Sequence, residues 1–307
     1  MIFTGYILLY PKDAVSAAAG GLVLWYEKVL PTLLPFTILS NLLIYSNYLH
    51  YITKYLGPVI RIFLPVSENG AFIILSGFLF GFPMGSRNCA ELLKDKKISK
   101  KEADILFIIT NNISPVFVSS YILQQQLMLP KLVIISYLVL YLPPLVLGAL
   151  WLNHSLLHNT ASLLTDREVT VQKKPASGSQ MNFKIIDAGI MNGFETLTRL
   201  GGYIMLFSIL ANLVQKLPLP MPLGLLITGM TEITSGIWLL SGTPVSTATR
   251  FVLAMAFTAF GGLSGIAQTS SMIKNTGLSL KNYSITKVIL TAISTLLAYS
   301  VAVWFQL

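Results

Sequence analysis

The sequence predicts an all-α fold: a polytopic integral membrane protein of about 8–9 hydrophobic segments, in two related repeats with interrupted helices. Three observations predict it. First, 54% of the 307 residues are hydrophobic and 11% are charged, whereas a soluble domain is about 25% charged. Second, the apolar run Ala71 to Phe80 breaks at Gly81-Phe82-Pro83-Met84-Gly85 and resumes as a polar helix-former up to Lys94. Pro83 removes a backbone donor, and the flanking glycines let other backbone or a ligand come close. Such backbone survives at membrane depth only where protein or a water-filled cavity satisfies its polar groups. Third, the stretch returns without a gap at a shift of 180 residues. Gly81, Gly85, Lys94, Ser99 and Lys101 fall on Gly261, Gly265, Lys274, Ser279 and Lys281, while Asn88 falls on Gln268. Ile113-Ser114 falls on Ile293-Ser294 at that shift, and Phe36–Leu42 resembles Phe207–Leu213 at a shift of 171.

Residues 1–12 form a short apolar lead ended by Pro11-Lys12. It lacks a basic n-region and a small-residue cleavage site, so no signal peptide is expected. Ala14 to Tyr45 is the first long hydrophobic region, carrying Glu27, Lys28, Pro31 and Pro35. Asn47 to Val66 holds Lys54, Pro58 and Arg61 and reads as a poor span or as an interfacial or re-entrant piece. After the broken segment Ala71–Leu93 comes a basic connector, where Ser99-Lys-Lys-Glu102 reads as a capping box opening the next helix. Ala103 to Gln124 spans but contains a second break, Thr110-Asn-Asn-Ile-Ser-Pro115. Leu129 to Asn153 spans with Pro143-Pro144 inside. His154 to Met181 is polar and ends in a linker-like Pro-Ala-Ser-Gly-Ser-Gln. The second half has segments at Ala188–Val214, Leu223–Leu240, Phe251–Ile273 and Ile285–Phe305. Trp25, Trp151, Trp238 and Trp304 read as interface anchors. The expected domains are 1–152, a repeat plus linking span; 153–187, a polar cytoplasmic linker; and 188–307, the second repeat.

Charge supports this organisation. The net charge is +9, but Lys and Arg sit in connectors, without the aromatic interleaving of a nucleic-acid face. Arg87, Lys94, Lys96, Lys97, Lys100 and Lys101 in one connector, and Arg167, Lys173, Lys174 and Lys184 in the linker, predict that both are cytoplasmic, with the chain in the cell membrane. Lys274, Lys281 and Lys287 would then fall on the other side. If Asn47–Val66 and its counterpart Leu223–Leu240 both cross, each repeat has four spans and the repeats are inverted. If the first is re-entrant while the second crosses, that argument fails.

Intramembrane polar groups are expensive and hence candidate functional groups. The predicted substrate-binding residues are Gly81, Pro83, Gly85, Ser86 and Asn88 at the first break, and Asn111, Asn112 and Ser114 at the second. Gly261, Gly265, Gln268, Thr269 and Ser270 complete them at the repeated break. Free amides at half-helix starts suit an anionic or carbonyl group, and free carbonyls suit a cation. Close helix packing by small residues explains the glycines about equally well. Glu232 could couple an ion or be a helix-end carboxylate near the headgroups. Glu27 and Glu195 read as local partners of Lys28 and Arg199. Cys89 is the single cysteine, which excludes an internal disulfide and a cysteine metal cluster. His50, His154 and His158 show no metal-ligand spacing, and no Walker loop, His-Glu-x-x-His or Gly-x-Ser-x-Gly elbow appears. Neither an enzyme nor a cofactor is expected. The expected partners are the lipid bilayer, a small polar solute, a coupling ion and further copies of the chain.

Several stretches resemble the sporulation integral membrane proteins of the YlbJ type and the nucleoside-recognition, or Gate, domains. They are Trp25-Tyr-Glu-Lys-Val-Leu-Pro-Thr-Leu-Leu-Pro-Phe36, Ser76-Gly-Phe-Leu-Phe-Gly-Phe-Pro-Met-Gly-Ser86, Ile98-Ser-Lys-Lys-Glu-Ala103 and Asn111-Asn-Ile-Ser-Pro-Val-Phe117. Thr231-Glu-Ile-Thr-Ser-Gly236 and Phe260-Gly-Gly-Leu-Ser-Gly-Ile-Ala-Gln268 extend the resemblance over most of residues 14–300. It departs from the family's frequent Gly-Tyr-Pro and Ala-Lys at Phe82 and Ser86-Arg87, which keeps a basic group past the break but loses a tyrosine hydroxyl. The resemblance implies solute transport, of a nucleoside-like or organic-anion class, and a role in sporulation. A membrane scaffold or assembly factor in spore formation is the alternative reading.

Overall fold

The computed structural model describes residues 2–46, 48–158 and 183–307, and all regular structure among them is helical. Most of the linker expected over 153–187, with Asp166, Arg167, Glu168, Lys173 and Lys174, lies outside the described residues. Helices α1 (Ile2–Leu9), α2 (Pro11–Leu24) and α3 (Leu30–Tyr45) form the first region, with a π-helical turn at Trp25–Val29 between the last two. Pro11 opens α2 at a position where its missing N–H costs nothing. Helix α4 (Tyr48–Phe63) then bends by 98° into α5 (Glu68–Phe80), so the weakly apolar 47–66 region turns at Leu64–Ser67 instead of continuing straight.

The breaks are of two kinds. At the first, α5 and α6 (Met84–Lys94) lie side by side: Asn88 Nδ2 donates to Ser76 Oγ at 2.7 Å across a turn at Gly81-Phe82-Pro83. Gly81 has φ +71°, and a Cβ there would lie 2.5 Å from the Ser114 nitrogen, so only glycine fits. A second hairpin joins α10 (Met221–Thr231) to α11 (Ile233–Gly242) at Glu232. A Cβ on Gly236 would be 2.3 Å from the Gly229 Cα, which places the two backbones in contact. Leu223–Leu240, expected from the sequence as one continuous segment, is this hairpin instead. The other kind of break continues onward. Helix α7 (Lys100–Thr110) stops at Asn111-Asn112-Ile113-Ser114 and a π-helix resumes at Phe117–Gln126. Helices α12 (Thr247–Phe260) and α13 (Gly262–Met272), parted at Gly261, read together as one 26-residue span.

Long helices α8 (Val133–His158), α9 (Phe183–Gln215) and α14 (Leu280–Trp304) complete the architecture. Five helical stretches are long and apolar enough to cross a membrane, or up to six if the bent α4–α5 pair is one span. That is fewer than the expected segments, because two of those segments fold back as hairpins of short half-helices, the 47–66 region bends away, and the break after α7 divides the Ala103–Gln124 segment. Pairing Gly81 with Gly261 therefore aligns a hairpin turn with a break inside a span. A glycine-rich interruption marks where a helix stops but not whether the chain turns back or goes on.

One face of α8, Ile134, Leu138, Leu142, Val146 and Leu150 at four-residue spacing, is exposed and suited to lipid. Trp238 and Trp304 are exposed apolar anchors, but Trp25 turns inward and its Nε1 donates to Leu197 O at 2.9 Å. The interior has two buried clusters. One surrounds Phe117, Val118, Tyr121 and Ile122 against Ile237, Phe251 and Phe257. The other joins Ile73, Cys89, Leu106 and Phe107 to Ile98, Ile273, Leu278 and Tyr283. The second corrects the expected charge distribution. A Cβ on Gly277 would meet the Lys100 side chain at 3.5 Å, so the connector between Lys274 and Lys281 lies beside the basic connector, not across from it.

Candidate functional site

A cavity of about 320 Å³ lies where the breaks meet. Its wall includes Phe82, Pro83 and Met84 from the first hairpin turn, Glu232, Ile233 and Thr234 from the second, Ile113 and Ser114 from the α7 break, and Ser264 and Gln268 from α13. Phe36, Thr37 and Asn41 of α3 and Thr196, Leu197 and Leu200 of α9 close it. The contributing ends of α6, the π-helix, α11 and α13 are all starts of helices. Helix starts carry the positive end of the macrodipole, although several of their first amides are already paired here: Met84 N with Gly81 O at 3.0 Å, Phe117 N with Ser114 Oγ at 3.3 Å, and Thr234 N and Ser235 N with Glu232. The remaining wall is largely aromatic and aliphatic, with Phe36, Phe82 and Phe117. Apolar walls with a few convergent polar groups are the usual make-up of a small-molecule site.

Four of the sequence-predicted residues line this cavity: Pro83, Ser114, Glu232 and Gln268. Gln268 is 5% exposed, and its side-chain amide has no hydrogen-bond partner among the described residues. Glu232 is buried and caps α11, accepting from Thr234 N at 3.0 Å and Ser235 N at 2.6 Å. It is a helix-end carboxylate, but one placed at a hairpin turn inside the protein.

The structure places most of the other predicted residues behind the wall. Asn111 Nδ2 donates to Thr269 Oγ1 at 2.8 Å and to the Tyr283 hydroxyl at 3.0 Å, tying the α7 break to α13 and α14. The Asn111 Oδ1 is buried without a partner. Asn112 Nδ2 donates to Ile109 O at 2.6 Å, and the Asn112 carbonyl accepts from Phe82 N at 2.6 Å, which fixes the hairpin turn against the α7 break. Ser86 Oγ donates back to Pro83 O at 2.8 Å. A Cβ on Gly85 would lie 2.4 Å from Thr110 O, so Gly85 serves close packing. Gly261, with φ +82°, is the turn between α12 and α13, and Gly265 lies beside the Phe82 ring. Ser270 is exposed. Tyr137 and Tyr141 of α8 donate to Pro115 O at 3.0 Å and Ile113 O at 2.8 Å, so carbonyls freed by the second break are satisfied by phenols.

A second, wider space of about 670 Å³ shares Pro83, Met84, Thr196 and Gln268 with the cavity. Arg87, Lys94, Arg199, Glu91 and Glu195 line it. The Arg87–Glu91 pair at 2.8 Å and the Glu195–Arg199 pair at 2.6 Å are i,i+4 contacts. This vestibule sits at the end of the molecule that carries the basic connector.

The sequence reading missed the role of Lys287. Counted there among connector charges, it is 2% exposed inside α14, and its Nζ donates to Asn112 Oδ1 at 2.9 Å and to Ala259 O at 3.2 Å. A charge at the centre of a membrane helix costs about 2.5–3.5 kcal/mol on insertion scales. The available signal was its position inside the Ile285–Phe305 segment, masked because a lysine in a first helical turn ordinarily reaches the interface. Among the described residues, no group of three or more His, Cys, Asp or Glu is placed to hold a metal.

No solved structure matches the chain. Residues 27–129, from the first π-helical turn through the second break, match the Gate family, described as nucleoside recognition. The chain is 27% identical, over 94% of its length and 78% of the other's, to the sporulation integral membrane protein YlbJ of Bacillus subtilis, and so is similar to a sporulation membrane protein through both of its halves.

Proposed function

We propose that the protein is a secondary transporter or permease for a small polar solute that presents acceptor oxygens. The observation that carries this is the convergence of four helix starts on one cavity. Half-helix starts turn the positive ends of their dipoles toward the cavity without a fixed cation, and the Gln268 side-chain amide adds an unpaired donor, which together suit a carboxylate, carbonyl or hydroxyl-bearing solute. A nucleoside or an organic anion meets that description, and the nucleoside-recognition family is consistent with the first. The vestibule gives the cavity a route toward the basic connectors, whose charge supports a cytoplasmic position for that end.

The order hairpin, interrupted helix, long helix occurs twice: α5–α6, α7 with the π-helix, α8; then α10–α11, α12–α13, α14. Glu232 follows Gly81 by 151 residues and Gly261 follows Asn111 by 150, which supports two repeats in a register other than 180. Three crossings separate the hairpins if α7 with its π-helical continuation is taken as one broken crossing beside the spans α8 and α9. An odd number makes the hairpins enter from opposite faces, so the repeats are inverted, one within residues 1–152 and one within 188–307. Alternating access then consists of one hairpin withdrawing while the other holds. Similarity to a sporulation protein supports a role in spore formation.

The test is thermal unfolding of the purified protein against panels of nucleosides and of mono- and dicarboxylates, with Gln268→Leu beside it. A ligand bound to the folded state raises the midpoint by mass action. A saturable rise that Gln268→Leu abolishes without lowering the unliganded midpoint supports the site. If no compound shifts the wild type and proteoliposomes take up none of them, the scaffold reading replaces this one.

A further inference from the structure

Lys287 is a lysine buried among helices, and none of the ion pairs among the described residues includes it. Its surroundings are those of a bound cation. Ala259 belongs to the last turn of α12, whose carbonyls lose their intrahelical partners where the helix stops at Gly261. That end of a half-helix is the negative end of its dipole. The second oxygen, Asn112 Oδ1, comes from the other interrupted span. The Tyr283 ring lies with its centroid 5.8 Å from Nζ, where an aromatic face attracts a cation. Two broken spans and one aromatic ring thus converge on a single positive charge. In broken-helix transporters, carbonyls at such half-helix ends coordinate a free coupling ion.

We propose that Lys287 is a resident cation: its ammonium, tethered to α14, occupies a monovalent-cation site formed by the end of α12 and the break after α7, so that this position requires no free sodium. The charge holds both interruptions together and cannot leave. The consequence for transport, that movement of solute draws no energy from a sodium gradient at this position, rests on the proposed function. The site itself does not, and stability without any solute tests it alone.

The experiment is thermal unfolding of the full chain in detergent, in sodium, choline and methylammonium chlorides at equal ionic strength. The wild type should unfold at the same temperature in all three. Lys287→Ala should unfold about 5 °C lower in choline, because two buried acceptors lose their donor. Methylammonium or sodium should restore at least half of that loss, saturably. A saturable rise of the wild-type midpoint with sodium overturns the proposal, as does a Lys287→Ala protein that responds to the three salts as the wild type does. Should Lys287→Ala yield no folded protein in any salt, Lys287→Gln decides. This variant keeps an N–H donor without the charge, so its midpoint should fall below that of the wild type, and an unchanged midpoint overturns the proposal.

Discussion

Asn112 touches three elements at once: its side chain joins Ile109 O to the Lys287 ammonium, and its carbonyl holds Phe82 N. Its truncation leaves a buried charge short of an acceptor, which costs about 2–3 kcal/mol and should lower the unfolding midpoint by roughly 5–10 °C. Asn112→Ala should therefore lose stability with or without solute, whereas Gln268→Leu should lose only the response to solute. A stable Asn112→Ala protein with normal ligand response would contradict the placement of this residue behind the wall. Glu232 carries both a cap and a cavity-facing charge. Glu232→Gln keeps an acceptor for the α11 amides and should lower the midpoint by less than Glu232→Ala, whose lost cap costs about 1 kcal/mol. Equal midpoints for the two variants would count against the capping role.

At the level of elements, each hairpin depends on a backbone contact that no side chain can enter. Gly236 in the second hairpin has the Gly229 Cα where its own Cβ would be. Gly236→Val must push α10 and α11 apart, at about 1–3 kcal/mol or more for an overpacked contact. The measurable result is a lower midpoint and easier proteolysis of the α10–α11 turn. Gly242→Val, at the end of α11 with open space around its Cβ, is the control that should leave both unchanged. The first turn was legible as Gly-Phe-Pro, but the second, at a lone Glu inside an apolar run that reads as one segment, was not, and neither was the geometry of either. Local sequence reports where i→i−4 hydrogen bonding stops. Whether the next half-helix returns depends on which surface it buries, and Asn88 meets Ser76 only after that choice is made.

For the whole molecule, the packing of Gly277 on Lys100 sets both basic connectors at one end. In a Cys89→Ala background, Lys97→Cys and Asn275→Cys should both react with a membrane-impermeant maleimide added from the cytoplasmic side. Reaction from opposite sides would break the parity on which the inverted arrangement stands. The opposite end is marked by the Lys216–Asp13 pair, which ties the start of α2 to the residue after α9. The Asp13 carboxylate hydrogen-bonded to it raises the Lys216 ammonium above its ordinary value. Asp13→Asn at this exposed pair should leave the midpoint nearly unchanged, as surface pairs contribute little.

Composition and apolar runs by themselves determined that this chain is helical, lies in a membrane and is interrupted at specific polar and glycine-containing sites, because the bilayer penalises every unsatisfied backbone group locally. They also determined the likeness to sporulation and nucleoside-recognition proteins, carried by the residues at those interruptions. Tertiary structure alone decided which interruptions turn back, which predicted residues face the cavity, and that Lys287 belongs to the interior. Those outcomes depend on contacts between residues such as Asn112 and Lys287, 175 positions apart, which no local pattern encodes.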